Sequence, residues 1–145
     1  MEKLDIIDKV NYKKMIEHIN SLGGFAKDIG IKMISISKGY AKGEINISKS
    51  HLNPGKSVHG GCIFTLADTV GGAAAWSRGN YVVTTSSNIT YLNPAIESKK
   101  LIAIANEIKF GKKILVYEVD IWDDSHRLIA KVTNSYYNIE KKLDL

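Results

Sequence analysis

A nearly uninterrupted run of apolar and small residues extends from about Val58 to Ser77, and a single carboxylate, Asp68, interrupts it. Its length and composition predict a helix of about five turns that is apolar on nearly every side. Such a helix has to be covered nearly all round by other elements. The rest of the chain must therefore supply a surrounding structure large enough to bury it.

The flanking segments have the composition of strands. Residues 31–48 form two short alternating segments around Lys38-Gly39, which predicts a hairpin. Four further segments rich in β-branched residues follow the helix, and short turns join the last three into an antiparallel meander; they cover residues 81–92, 100–110, 113–123 and 127–139. We predict an α+β fold in which a curved antiparallel sheet of five to six strands wraps around a long central helix.

The chain reads as one domain, 1–145, with residues 1–24 as an N-terminal helical extension. Apolar residues recur there at helical spacing from Tyr12 to Leu22, and Gly23-Gly24 ends the pattern. The single cysteine, Cys62, cannot form an internal disulfide. There is also no signal-peptide pattern and no membrane-spanning run, so we expect a cytoplasmic protein with no membrane partner.

The net charge of +5 favours a polyanionic partner or a solvated basic surface. The lysines occur in scattered pairs, and aromatic residues are not interleaved with them as a single-strand binder requires. We therefore expect no nucleic acid partner. A solvated surface explains the charge best, and a small ligand that carries phosphate is the alternative.

Three apparent motifs carry little chemistry. Gly55-Lys56-Ser57 lacks the first glycine of a phosphate loop, because Ser50 stands at that position. His51 and His59 have no Cys, Asp or Glu nearby at ligand spacing, so no metal is expected. Cys62 lies beside an apolar run, where cysteine is more often a small core residue than a nucleophile.

Two features of the central segment indicate a reaction. Gly60 and Gly61 begin the predicted helix, where backbone N–H groups lack intrahelical acceptors and the helix dipole favours negative charge. This arrangement suits an oxyanion hole or anion site, although paired glycines also allow close packing. Asp68 requires partners or a purpose, since an isolated charge is costly to bury. It is either hydrogen-bonded to backbone, Thr65 or Thr69, or it is a general base or nucleophile.

The spacing of the two features predicts a site shared between subunits. Gly60 and Asp68 are eight residues apart, which is roughly 12 Å along one helix. A carbonyl bound at the Gly60 N–H therefore lies beyond the reach of Asp68 in the same chain. Ile114, Val116 and Trp122 also give the meander a second apolar face, which suggests that another subunit covers it.

The combined pattern, Asn53-Pro-Gly-Lys-Ser-Val-His-Gly-Gly followed by Leu66-Ala-Asp68, resembles the hotdog-fold acyl-CoA thioesterases of the phenylacetate-degradation (PaaI-like) branch. The later segment 86–95, SSNITYLNPA, resembles a strand and turn of that family. The resemblance extends from about residue 30 to 139. It implies hydrolysis of acyl-CoA or aryl-CoA to free acid and CoA, without a cofactor or metal, in a homodimer as the minimal active unit that assembles into a tetramer.

The resemblance also implies roles for individual residues. The Gly60 N–H polarises the thioester carbonyl, and Asp68 of the partner subunit attacks it or activates water. Asn53 holds the carbonyl or the water, His59 supports the loop, and Thr84 orients Asp68. Further residues are expected to contact the substrate: Gly61, Phe64, Thr65, Thr85 and Lys56.

Two alternatives remain at this point. A non-catalytic acyl-CoA sensor uses the same fold, although such regulators carry a DNA-binding segment and Asp68 favours an enzyme. A dehydratase or hydratase needs an acidic partner near the histidine, and none is found near His59. Phe64, Trp76 and Tyr91 are candidates for an aromatic acyl pocket or for core positions, so the acyl group is left open.

Overall fold

The computed structural model describes residues 10–145, in which one antiparallel sheet wraps around a central helix. The helices are α1 (Tyr12–Ser21), α2 (Phe25–Asp28) and α3 (Gly60–Trp76), with a 3₁₀ turn at Lys49–His51. The strands are β1 (Ile31–Ser37), β2 (Tyr40–Asn46), β3 (Asn80–Tyr91), β4 (Lys100–Phe110), β5 (Ile114–Asp123) and β6 (Leu128–Lys142). Their order in the sheet is β1-β2-β4-β5-β6-β3. The predicted α+β fold is confirmed.

The alternation of side chains sets which face of the sheet meets α3. Along β5, Leu115, Tyr117, Val119 and Ile121 are buried, whereas the intervening residues are partly exposed. The buried set faces the helix because successive side chains in a strand point to opposite faces. On the other face, Lys131 forms ion pairs with Glu118 and Asp120. The outer face of the meander therefore carries charged residues beside Ile114, Val116 and Trp122, and it is less apolar than the sequence predicted.

The central helix packs closely because small residues occur where backbones approach. Leu66, Val70 and Ala74 of α3 are fully buried. Val70 lies against Gly43 of β2, and a Cβ at Gly43 would come within 2.6 Å of the Val70 side chain. Only a glycine at this position allows the sheet to curve onto the helix.

The N-terminal helix is fixed to the first strand. Met15 of α1 is fully buried. Asn20 donates from Nδ2 to the Met33 carbonyl (2.9 Å) and accepts the Met33 N–H at Oδ1 (2.8 Å), so one side chain replaces a missing neighbour at this sheet edge. The sequence did not predict α2, which is a single turn. Residues 1–9 of the predicted extension lie outside the described residues, and the domain assignment remains a prediction.

A charged cluster closes the C-terminal end of α3. Arg78 donates from Nε to Glu107 of β4 (2.8 Å) and from a terminal nitrogen to the other carboxylate oxygen, and its guanidinium lies 4.3 Å from the centre of the Phe110 ring. Tyr117 donates to the same carboxylate (2.8 Å). The hydrogen bonds from Arg78 hold the pKa of Glu107 below its usual range. This pair fixes the turn after α3 to the sheet.

The edges of the sheet are β1 and β3. The outer edge of β3 is twelve residues long and pairs with no strand among residues 10–145, and Val83 on it is 50% exposed. Within the same residues, no helix has the length and apolar character needed to cross a membrane.

Candidate active site

The N-terminal end of α3 carries one unused backbone donor. His59 is the N-cap, and its Nδ1 accepts the Gly61 N–H at 2.8 Å. The His59 carbonyl accepts from the N–H groups of Cys62 (2.9 Å) and Ile63 (3.2 Å). The Gly60 N–H has no acceptor among residues 10–145. The cap thus distinguishes the two glycines physically, because the Gly61 N–H has an acceptor and the Gly60 N–H has none in the described part of the chain.

The unused donor is strengthened by its surroundings. The Gly60 N–H and the His59 carbonyl belong to the same peptide group. That carbonyl already accepts two hydrogen bonds, and consecutive hydrogen bonds through one peptide group polarise one another. The donor also lies at the positive end of a 17-residue helix. A developing oxyanion bound at Gly60 would therefore meet a fixed, aligned dipole.

Asn53 and Tyr91 hold the loop and strand beside this donor. The Asn53 amide accepts the Ser57 N–H at Oδ1 (3.1 Å) and donates to Ser57 Oγ (2.8 Å), so it closes the turn 53–57. An amide nitrogen carries two protons, and one remains to contact a ligand. Tyr91 donates from its hydroxyl to the Gly60 carbonyl (2.8 Å). Asn53, Gly60 and Tyr91 border a cavity of about 370 Å³, here called the Gly60 cavity.

Asp68 occupies the middle of α3 and is half-buried, so the fully buried charge that the sequence suggested is not observed. Thr84 of β3 donates to Asp68 Oδ1 at 2.8 Å. The carboxylate therefore has a hydroxyl partner sixteen residues away instead of Thr65 or Thr69. Asp68 and Thr84 border a second cavity of about 290 Å³, here called the Asp68 cavity.

A buried polar network lies behind Asp68. Tyr136 of β6, the cross-strand neighbour of Thr84, donates to the Asp68 backbone carbonyl (3.2 Å). Asn134 donates to the Ala67 carbonyl (3.3 Å) and accepts from Ser87. Burial, and secondarily the negative charge of Asp68, raise the pKa of Tyr136, which keeps its hydroxyl protonated as a donor. The network fixes the helical turn from which Asp68 projects.

The two halves of the predicted site do not meet within one chain. Gly60 and Asp68 are separated by eight residues, or roughly 12 Å of helix. The Gly60 cavity and the Asp68 cavity have no lining residue in common. One chain thus carries an amide half-site and a carboxylate half-site at different positions on α3.

The five predicted substrate contacts are dispersed. The Gly61 N–H is already bound to His59, and the Thr65 hydroxyl donates to the Gly61 carbonyl (2.8 Å). The Thr85 hydroxyl donates to the Ser135 carbonyl (3.1 Å). Phe64 is half-buried and borders neither cavity, and Lys56 is exposed in the turn with a φ of 62°.

Several other candidates have structural partners. His51 is buried, its Nδ1 accepts the Ser48 N–H (2.9 Å) and its Nε2 donates to the Ile29 carbonyl (2.6 Å). Burial raises the pKa of the Cys62 thiol, which disfavours the nucleophilic thiolate. Arg78 is paired with Glu107, which neutralises its charge.

Sequence reasoning missed the polar network. Asn134 occupies an inward position between Val132 and Tyr136, all three of which are buried, and a polar residue in such an alternating series was the available signal. The Tyr91 hydroxyl was also missed, because its acceptor lies 31 residues earlier.

Comparison with known proteins identifies the family of this chain. Residues 55–130, just over half of the chain, match the family model described as the thioesterase superfamily. The acyl-coenzyme A thioesterase PaaI of Escherichia coli is 33% identical over 105 residues, which cover 72% of this chain and 75% of that protein.

Solved structures extend the match to the whole fold. The structure of the E. coli PaaI protein superposes with a TM-score of 0.85 at 27% identity, covering 91% of this chain and 96% of that one. A Streptococcus mutans protein bound to acetyl CoA superposes with a TM-score of 0.79 at 26% identity, covering 87% of this chain and 99% of that one. The chain therefore belongs to the thioesterase superfamily, among its PaaI-like hotdog members.

Proposed function

We propose that this protein hydrolyses acyl-CoA thioesters to a free acid and CoA, in an active site that two copies of the chain complete. The observation that carries the proposal is the pairing of an unused Gly60 N–H at a helix start with an Asp68 carboxylate held by Thr84. The similarity to an acyl-coenzyme A thioesterase and to a protein bound to acetyl CoA supports this substrate class.

In this mechanism the thioester carbonyl oxygen accepts the Gly60 N–H. Asp68 of the partner subunit either attacks the carbonyl carbon or takes a proton from the water that attacks it. Negative charge then develops on the carbonyl oxygen, where the helix dipole and the amide stabilise it. The carbon–sulfur bond breaks, and the CoA thiolate leaves without needing a strong acid. If Asp68 has attacked directly, the product is a mixed anhydride with its carboxylate, and a water then hydrolyses this anhydride to release the free acid and regenerate Asp68.

The supporting residues hold these groups in place. Thr84 donates to one carboxylate oxygen of Asp68 and leaves the other available. His59 occupies the Gly61 N–H, so that Gly60 alone offers a donor. Asn53 borders the Gly60 cavity, and the second proton of its amide nitrogen is a candidate contact for the carbonyl or the water.

The dimer follows from the separation of the half-sites. A carbonyl within hydrogen-bond distance of Gly60 cannot also lie within reach of an Asp68 carboxylate roughly 12 Å along the same helix. The long outer edge of β3 supports pairing with a second copy, because exposed edge groups favour association. The other face of the meander, with Ile114, Val116 and Trp122, is the candidate contact for a tetramer.

The proposal is tested by measuring thiol release from acetyl-, butanoyl-, decanoyl-, palmitoyl- and phenylacetyl-CoA. We expect Asp68→Asn to lower kcat by about 10²–10⁴, since it removes the base or nucleophile but preserves shape. The matched control is Asp120→Asn, which removes a carboxylate from the outer sheet face and should leave kcat unchanged.

Near-normal turnover by Asp68→Asn would refute the mechanism. If the wild-type protein hydrolyses none of the esters yet its unfolding temperature rises with them, the protein is an acyl-CoA sensor and the enzymatic proposal is wrong.

A further inference from the structure

The Asp68 cavity is lined mainly by apolar side chains from two segments of the chain, residues 19–33 and 68–84. The first segment contributes Ile19 of α1, Leu22 at the C-terminal cap of α1, and Met33 of β1. The second contributes Trp76 of α3 and Val82 of β3. The Asp68 carboxylate borders the same space. A ligand whose apolar group occupies this cavity therefore has the atom attached to that group close to the Asp68 carboxylate.

The wall formed by α1 is rigidly held. Two hydrogen bonds join Asn20 to the Met33 backbone, and Met15 is fully buried beneath the helix. These residues precede position 55, where the match to the family model begins. The cavity is therefore shaped partly by a segment outside the matched region.

Two adjacent glycines in α3 have opposite surroundings. A Cβ at Gly71 would collide with the Tyr136 hydroxyl and lie 2.8 Å from Asn134 Nδ2, so close packing requires this glycine. A Cβ at Gly72 would meet nothing within 4 Å, and Gly72 borders the Asp68 cavity. Glycine inside a helix costs about 1 kcal/mol relative to alanine. No packing contact accounts for that cost at Gly72, whereas keeping the cavity open does.

The proposed function brings the acyl group into the Asp68 cavity, beside the carboxylate, and we infer that Gly72 is the residue that keeps this cavity deep enough for a medium-sized apolar acyl group. This inference rests on the proposed function. A cavity of roughly 150 Å³ accommodates benzene, so the Asp68 cavity, at about 290 Å³, accommodates roughly eight to twelve carbon atoms. Acetyl leaves most of the apolar wall without contact, and palmitoyl exceeds the space.

The experiment measures kcat/KM along a series of acyl-CoA esters from acetyl to palmitoyl, with 3-phenylpropanoyl-CoA as an aromatic ester of similar size. The highest kcat/KM of the wild-type protein should fall within the range from octanoyl-CoA to dodecanoyl-CoA. The aromatic ester shows whether the cavity favours a flat or a linear acyl group. Gly72→Leu places about four carbon atoms in the cavity, so the decanoyl/butanoyl ratio of kcat/KM should fall by about tenfold or more.

Trp76→Leu shortens a side chain that borders the cavity one helical turn from Gly72, so the preference should move to longer esters. The matched control is Trp122→Leu, which changes the second tryptophan of the chain on the outer sheet face and should leave the preference unchanged. Gly72→Ala should raise the unfolding temperature and shift the preference only slightly.

The possible failures are separable. If the wild-type protein hydrolyses no ester, the proposed function fails. If it is active but Gly72→Leu lowers kcat/KM equally for butanoyl and decanoyl esters, or if acetyl or palmitoyl is preferred, the inference about the cavity is wrong and the proposed function stands.

Discussion

Replacing Gly60 with proline removes a single N–H group at a position where proline is structurally favoured. Gly60 is the first residue of α3, and its N–H has no acceptor in the part of the chain that the structure describes. Proline is common at this helix position. It also requires an extended conformation in the preceding residue, and His59 already has φ −58° and ψ 134°. The backbone should therefore accept Gly60→Pro.

The expected loss is that of one oxyanion donor. Removing such a donor costs about 10²–10³ in kcat, or roughly 2.7–4 kcal/mol of transition-state stabilisation. Both proline and alanine add a Cβ, which would lie 3.0 Å from the Tyr91 hydroxyl. Gly60→Ala keeps the N–H, so it is the matched control for that crowding and should lose about tenfold or less.

The assay is steady-state thiol release, with thermal unfolding and oligomeric mass measured on the same samples. The decisive quantity is the ratio of kcat between Gly60→Ala and Gly60→Pro. If both variants lose activity equally while remaining folded, the Gly60 N–H is not the oxyanion donor and the reasoning fails.

The same variant tests the shared site. Gly60→Pro and Asp68→Asn inactivate opposite half-sites, so mixed dimers contain one intact site. Random assortment of co-expressed variants makes half of the dimers mixed, and activity should recover to about one quarter of the wild-type value. A mixture no more active than its two parents would place Gly60 and Asp68 of one chain in the same site.

Three further predictions concern single residues. Thr84→Val removes the hydroxyl bound to Asp68, a hydrogen bond to a charged group, so kcat should fall about tenfold or more with little change in the unfolding temperature. Gly71→Ala forces a methyl group against Tyr136, and urea unfolding should give a free energy of unfolding lower by about 1–3 kcal/mol; an unchanged value would contradict the packing described. The native pKa of Glu107 lies below its ordinary value of 4.5, so this carboxylate stabilises the fold above about pH 4.5 and that stability is lost as pH falls through the lowered native pKa. Glu107→Gln should reduce stability at pH 7 by about 1–2 kcal/mol and flatten the acid limb of a plot of stability against pH.

Most of the fold could be predicted because each element carries its own periodicity. The run from Val58 to Ser77 predicted α3 within two residues. Alternation in the first two segments and β-branched composition in the four later ones predicted a sheet of five to six strands, and six are observed. The one-turn helix α2 escaped because four residues cannot establish a helical period.

The candidate site was less accessible to sequence reasoning because its contacts join distant positions. Local spacing suggested Thr65 or Thr69 as partners of Asp68, whereas the hydrogen bond comes from Thr84 on another element; only the family resemblance pointed to that residue. The sequence alone offers no signal that distinguishes Gly71 from Gly72. Their difference depends on side chains of β6, more than sixty residues later.

One part of the wall of the Asp68 cavity comes from a different stretch of the chain than the groups proposed to act on the thioester. Ile19 and Met33 lie before position 55, whereas Gly60, Asp68 and Thr84 lie after it. Under the proposed assignment, substitutions in α1 and β1 should therefore alter acyl selectivity without touching the proposed reacting groups. For protein engineering, this makes the N-terminal segment the natural region to vary or exchange with relatives when a new acyl preference is sought.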